Sequence, residues 1–316
     1  MHFDQLFSNF GDLTVQGLAQ GAIYALFALG YTMVYGVLRL INFAHSEVFM
    51  VGTFGAYLSW TWLGLDQNSP TPALGTALLY LLVGLVAACA FSAVTAVALE
   101  FVAYRPLRKR NAPVLTFLIT AIGASVVISE FVGVQTRRAP RAVPTLVHSK
   151  DLVNIAGTSI TNIQVSIIAL AIVLMIALDM FINRTRLGRG VRAIAQDPNT
   201  AALMGVNKDR VISLVFLLGG LMAGAAALMY DVKITGTNNS VGFDLGIKAF
   251  AAAVLGGIGN LRGSLLGGLL LGMLEGWGSG LFGQQWVGVV AFVVLIVILL
   301  FRPTGLLGES LGRARA

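Results

Sequence analysis

The sequence predicts an all-α fold, a polytopic transmembrane helical bundle of eight to ten spans, nine preferred, with an inverted-repeat core and broken helices. Three observations predict it. Hydrophobic residues make up 57% and charged residues 11% of the 316 positions, against roughly 45–50% and about 25% in soluble domains. The 21 basic and 14 acidic residues are too few to clothe a soluble globule of this length. The apolar residues come in runs of about 20, the length a helix needs to cross a bilayer, rather than in alternating or heptad patterns.

Apolar segments fall at 13–37, 48–65, 73–103, 113–134, 163–182, 211–231, 246–259, 263–283 and 285–301. The seventh is short for a hydrocarbon core of about 30 Å, so it reads as a half-helix or re-entrant element. If it crosses, the count is odd, with the N-terminus outside and the C-terminus, carrying Arg302, Arg313 and Arg315, inside. The basic breaks at 104–112 and 183–210 then face the cytoplasm, as the positive-inside rule requires. Asp4 and Asp12 precede the first basic residue, Arg39, unlike a signal peptide, so the first segment is expected to stay as a span.

The loop at 135–162 faces outward in this topology, yet it carries Arg137, Arg138, Arg141 and Lys150. Either the charge bias is only statistical, or a nearby span is miscounted, or these arginines dock an acidic partner. The net charge of +7 lies in short breaks between apolar runs and not along one exposed face, which argues against nucleic acid. Cys89 is the single cysteine, and His2, His45 and His148 lie far apart, so neither a disulfide framework nor a metal site is expected.

Small residues mark the helix interfaces. Gly268, Gly272, Gly276 and Gly280 repeat every four positions, as do Gly17, Gly21 and Ala25, so each set forms a smooth ridge for close backbone packing in lipid. Two polar interruptions stand out, NFAHSE at 42–47 after the first segment and VGFDLGIK at 241–248 after the sixth. The topology puts them near opposite membrane faces, as an inverted repeat with broken helices around a central pathway would.

Asn42 is placed to cap a helix beginning near Ala44, with Glu47 in its first turn beside the positive helix end. Asn42 and Glu47 read either as structural capping residues or as lining a path, because ionisable groups at membrane depth usually face water or a partner. Asp244 and Lys248 are spaced to pair with each other. Glu275, between Gly272 and Gly276, reads as a hydrogen-bonded structural acid before an ion site. Glu100, Glu130 and Asp179 sit near span ends. Tyr31 and Tyr35 suit either a path or an aromatic belt.

The stretch LGRGVRAIAQDPNTAALMGVNKDR at 187–210 is too polar to cross and reads as helix, turn, helix. Asp197 and Pro198 break the first helix; Asn199 or Thr200 caps a short second one, which stops at Gly205 and exposes Ala201, Leu203 and Met204. An apolar tip on a small polar module suggests a docking surface.

That segment resembles the coupling loop of ATP-binding-cassette importer membrane subunits, with Asp197, Ala201, Ala202 and Gly205 on the pattern and Gly188 and Gly190 in the same loop. GAIYALFALGYTMVYGVLRLINFAHSEVFMVG at 21–52, KAFAAAVLGGIGNLRGSLLGGLLLG at 248–272 and RPTGLLG at 302–308 are similar, in order, to the permease of the high-affinity branched-chain amino-acid importers. The resemblance covers nearly the whole chain. It implies one transmembrane permease domain over 1–316, with a cytoplasmic coupling loop at 187–210 and an extracytoplasmic loop at 135–162, in a bacterial inner membrane.

The partners it implies are a second permease, as a hetero- or homodimer, two ATP-binding subunits, an extracytoplasmic substrate-binding protein and membrane lipid. ATP and Mg would be bound by the partners, with no cofactor in this chain, which carries no Gly-x-x-x-x-Gly-Lys-Ser/Thr phosphate loop. Tyr31, Tyr35, Asn42, His45, Glu47, Asp244, Lys248, Gly256 and Gly257 would belong to the path or its broken helices, and Arg137, Arg138 and Arg141 to binding-protein docking. The chain is then not an enzyme. Related permeases carrying urea, short amides or other amino acids are the alternatives, with an ion-coupled secondary transporter behind them.

Overall fold

The computed structural model describes residues 8–155 and 158–308. His2, Asp4, Arg313 and Arg315 lie outside the described residues. Helices α1 (Phe10–Leu38), α2 (His45–Trp62), α3 (Leu74–Leu99), α4 (Arg105–Lys109) and α5 (Val114–Thr136) come first. They are followed by α6 (Asn162–Arg184), α7 (Arg186–Gln196), α8 (Pro198–Leu203), α9 (Lys208–Ile234), α10 (Val241–Gly256), α11 (Leu261–Phe282) and α12 (Val287–Phe301). A π-helical turn, Glu100–Tyr104, joins α3 to α4, and a 3-10 turn, Gln284–Trp286, precedes α12.

Every predicted apolar segment is a helix. Seven among the described residues are long and apolar enough to cross a bilayer; α2 and α10 are the other two. The segment placed at 246–259 is α10, which starts earlier, at Val241, and has 16 residues. VGFDLGIK is therefore not an interruption but the first two turns of this helix, and the break precedes it, at 235–240. Likewise the first break spans 39–44, and His45 to Glu47 are already helical. Two short antiparallel pairings were not anticipated: β1 (Arg141–Ala142) with β4 (Gly236–Thr237), and β2 (Asp151–Ile155) with β3 (Thr158–Thr161).

The chain forms two compact units. One comprises the described parts of Met1–Thr32, Lys150–Met175 and Lys248–Ala316; the other comprises Met33–Ser149 and Ile176–Ile247. In the first unit the predicted ridges meet. A methyl group added at Gly268 would stand 2.5 Å from the Ala25 backbone, and one at Gly272 would stand 2.3 Å from the Gly17 carbonyl oxygen. Only residues lacking bulk at both faces let α1 and α11 approach this closely, which supplies the dispersion that lipid cannot. Phe10 and Trp277 stack at 5.3 Å at the end of the same seam.

The second unit packs α2, α3 and α9 by the same device. Gly220 and Gly224 of α9 lie on the backbone at Ala93 and Cys89 of α3, and Gly52 of α2 lies against Ser92. Trp60 of α2 covers Gly84, and its indole N–H donates to the Tyr80 carbonyl at 2.8 Å. The core between them is alanine-rich, with Ala223, Ala226 and Ala227 wholly buried beside Phe49 and Phe216.

Candidate functional site

The polar module at 186–210 folds as helix, turn, helix. Thr185 caps α7, its hydroxyl accepting from the Gly188 N–H at 3.0 Å. Gly188 is buried against the Phe181 and Ile182 carbonyls, where a methyl would stand 2.5 and 2.3 Å away, so glycine permits the tight reversal after α6. The cap of α8 is Asp197, and neither Asn199 nor Thr200: its carboxylate accepts from the Asn199 N–H at 2.8 Å and from the Thr200 hydroxyl. Pro198 holds the first helical position, where its missing N–H costs nothing.

The Thr200 hydroxyl, and after it the Asn199 and Thr200 N–H groups, hold the Asp197 carboxyl below its ordinary value. Gly205, at φ +86°, ends the helix in a conformation that side chains disfavour. The tip is apolar but composed differently from expectation. Leu203 and Met204 are 88% and 81% exposed, whereas Ala201 is 5% exposed and turned inward. A helix of six residues has one face to spare, and Ala201 lies on the other; Ala202 and Gly205 stay exposed, and Gly190 is half-buried near Val211.

The module is tied to the first helix break. Arg39, in a left-handed conformation just past α1, donates from Nη2 to the Ala195 carbonyl at 3.4 Å. Within the break, Asn42 does not cap α2 with its side chain. Its main-chain carbonyl, with those of Phe43 and Ala44, takes the N–H groups of His45, Ser46 and Glu47. The released side chain accepts from the Tyr104 hydroxyl at 2.7 Å. Asn42, His45, Ser46 and Glu47 are all buried.

Glu47 sits where three elements converge. Its Oε1 accepts from the Ser125 hydroxyl of α5 at 3.1 Å and the Ser46 hydroxyl at 3.3 Å. Gly242, in the first turn of α10, lies against it, since a methyl there would stand 2.5 Å from the Ser46 carbonyl and 3.0 Å from Glu47 Oε2. The two polar segments thus touch, which overturns the expectation that they lie near opposite faces. The cause is the break at 235–240, where Thr237 bonds Thr53 and Ser129 bonds the Asn239 carbonyl. Among the described residues, Glu47 Oε2 and Asn42 Nδ2 have no hydrogen-bond partner.

The predicted Asp244–Lys248 pair is not made. Asp244 is exposed, and Lys248 forms its ion pair with Glu275 at 3.1 Å. The Tyr24 hydroxyl donates to the other Glu275 oxygen at 2.7 Å, and Lys248 lies 3.3 Å from that hydroxyl. Tyr31, 5% exposed, packs on Phe27 and Phe250 as core rather than as an aromatic belt; Tyr35 is half-buried. Gly256 and Gly257 close the turn into α11 and receive the segment after α12, through the Leu306 N–H on Leu255 and the Leu307 N–H on Gly256. Gly280 is half-buried on α11.

Of the arginines expected to face outward, Arg137 and Arg138 are exposed, and Arg138 pairs with Glu130. Arg141 is half-buried in β1, its guanidinium on the Thr136 carbonyl at 3.3 Å. Sequence reasoning missed two acids. Glu100 is wholly buried and accepts from Arg108 at 2.8 Å, Arg105 at 3.3 Å and Ser213 at 2.9 Å. Asp231 of α9 is also wholly buried. Among the described residues no cluster of three or more His, Cys, Asp or Glu is placed to hold a metal.

Residues 13–299 match the family described as branched-chain amino acid transport system / permease component. The chain is 41% identical, over 93% of its length and 94% of the relative's, to the high-affinity branched-chain amino acid transport system permease protein BraD of Pseudomonas aeruginosa. It is 39% identical, over the same shares, to the permease protein LivH of Escherichia coli K12. A solved metal-chelate type ABC transporter in an inward-facing conformation shares the fold, with a TM-score of 0.51 at 16% identity over 93% of this chain and 88% of that one.

Proposed function

The chain belongs to the branched-chain amino acid transport system permease family, and on that premise we propose that it is the membrane-spanning permease subunit of an ATP-binding-cassette importer that moves branched-chain or related small amino acids. The observation that carries the proposal is the α7–α8 module: an apolar tip of Leu203 and Met204 held out on a capped helix and bonded through Arg39 to the break that leads into α2. An ATP-hydrolysing partner seated on that tip would act on the break, and through it on the polar cluster at Glu47. ATP and Mg then belong to that partner.

The same reading assigns a second permease, two ATP-binding subunits and an extracytoplasmic binding protein that meets the chain near Arg137 and Arg138. The residues proposed for the path are Asn42, His45 and Glu47. Transport is by alternating access, each state favoured by its own set of partner contacts. The test is co-expression with the candidate ATPase. Leu203→Glu with Met204→Glu is expected to abolish co-purification and uptake while the chain still reaches the membrane; intact uptake in the double variant rejects the proposal.

A further inference from the structure

Within the second unit, a pocket of about 820 Å³ opens between the α7–α8 module and the helices beside it, a size within the roughly 300–1,000 Å³ of small-molecule sites. Much of its wall is apolar. Val37 and Leu38 come from the end of α1, Val114 and Phe117 from the start of α5, and Ile194 and Val206 from the module.

The charged part of the lining is basic: Arg108, Lys109 and Lys208, against one acid, Asp209. Asp209 is already bonded to Arg108, and Glu100 receives Arg105 and Arg108 together. These two acids balance the two arginines, so Lys109 and Lys208 remain as positive charge that the neighbouring carboxylates do not answer. Lys109 is close enough to act on the Asp209 carboxylate, and Lys208 is the residue before it. Lys208 Nζ donates to the Asn199 side-chain carbonyl at 2.9 Å, which uses one of its three protons. Among the described residues Arg108 Nη1 has no hydrogen-bond partner, so donors here outnumber acceptors.

The pocket also meets the surface that borders lipid. Val114 lines it and is 68% exposed, and it heads an exposed apolar stripe of α5 that continues through Leu115, Ile119 and Ile122. A ligand entering there has to be apolar along one part and anionic at another. An acidic peptide brings carboxylates, but also backbone groups that the apolar walls leave unpaired. A free phosphate covers none of those walls.

We propose that this pocket binds one anionic phospholipid, with its phosphate at Lys109 and Lys208 and an acyl chain along Val114 and Phe117, and that the bound lipid braces the α7–α8 module against α5. Charge-assisted bonds from the ammonium groups to the phosphate oxygens supply the hold, as in other basic pockets beside membrane spans.

The test uses the full chain purified in detergent and titrated with phosphatidylglycerol, phosphatidylcholine or inorganic phosphate. Native mass spectrometry is expected to find one phosphatidylglycerol per chain, bound at least fivefold more tightly than phosphatidylcholine. Bound phosphatidylglycerol is expected to slow proteolytic cleavage within 197–205 at least threefold. Lys109→Gln with Lys208→Gln is expected to abolish the preference between the two lipids. Arg186→Gln with Arg189→Gln, at two exposed positions of the same module outside the pocket, is expected to keep it. Equal affinity for the two lipids, equal losses in the two double variants, inorganic phosphate slowing cleavage as well as the lipid does, or cleavage unchanged by bound lipid overturns the proposal. None of these readouts is transport, so the permease reading stands or falls separately.

Discussion

Lys248 of α10 and Glu275 of α11 face each other at 3.1 Å, and Tyr24 of α1 completes the group from the other carboxylate oxygen. Residues of three helices within one unit are thus joined through a single acid that is 3% exposed. Glu275→Gln strands the lysine beside a neutral group, and thermal unfolding in detergent is expected to show a loss of about 3 kcal/mol, the low end for a broken buried pair because Lys248 keeps some solvent. Adding Lys248→Met is expected to restore most of that loss. No recovery in the double variant would show that the acid is needed for something other than this pair.

Glu100 plays the corresponding part in the other unit. Glu100→Ala leaves Arg105 and Arg108, each about one-fifth exposed, without their buried acceptor, at an expected cost of about 3 kcal/mol. Asp209→Ala removes the other partner of Arg108, a carboxylate 41% exposed, and is expected to cost under about 1 kcal/mol. Melting temperatures of the two variants check the order.

The α1–α11 seam separates glycines by what surrounds them. Gly272→Val drives a side chain into the backbone of Gly17 and Gly21, and is expected to cost about 3 kcal/mol or more. Gly75→Ala and Gly288→Ala have nothing within 4 Å, and are expected to be neutral or to stabilise by up to about 1 kcal/mol through helix propensity. Expression level and melting temperature report both.

The α7–α8 module has a pH and a conformational signature. The Asp197 carboxyl sits below its ordinary value, so its capping contribution is fully present above the unfolded value of about 3.9 and is lost as pH falls through the lower folded one. Proteolytic cleavage within 197–205 is therefore expected to stay flat from pH 8 to about 5 and to rise at any of these pH values in Asp197→Ala. Gly205→Ala meets open space, so its penalty is backbone alone, about 1 kcal/mol; a larger loss would mean that the turn carries contacts of its own.

The legible parts of the candidate site were the ones local sequence controls. The helix break before His45, the acid in the first turn at Glu47, the stop at Asp197–Pro198 and the glycine at 205 follow from turn and cap chemistry within a few residues. Asn42 was misread because its backbone carbonyl did the work assigned to its side chain. Glu100 was missed because a carboxylate near a span end looks solvated in sequence. It is the π-turn that begins with it and Ser213 from α9, 113 positions away, that enclose it. Ala201 was placed outward because composition gives a short helix an apolar patch without giving its orientation.

What the sequence determined by itself was the membrane class, the nine apolar segments that form helices and the ridges on which α1 and α11 meet, since run length and four-residue spacing are properties of one segment in one solvent. The tertiary structure decided which charges are neighbours. Lys248 is one helical turn from Asp244 in sequence, yet it bonds Glu275; Gly242 reaches Glu47 across nearly two hundred positions. In an apolar interior a charge is stable only beside its complement, and which complement arrives is fixed by how the helices pack and where the chain turns at 235–240.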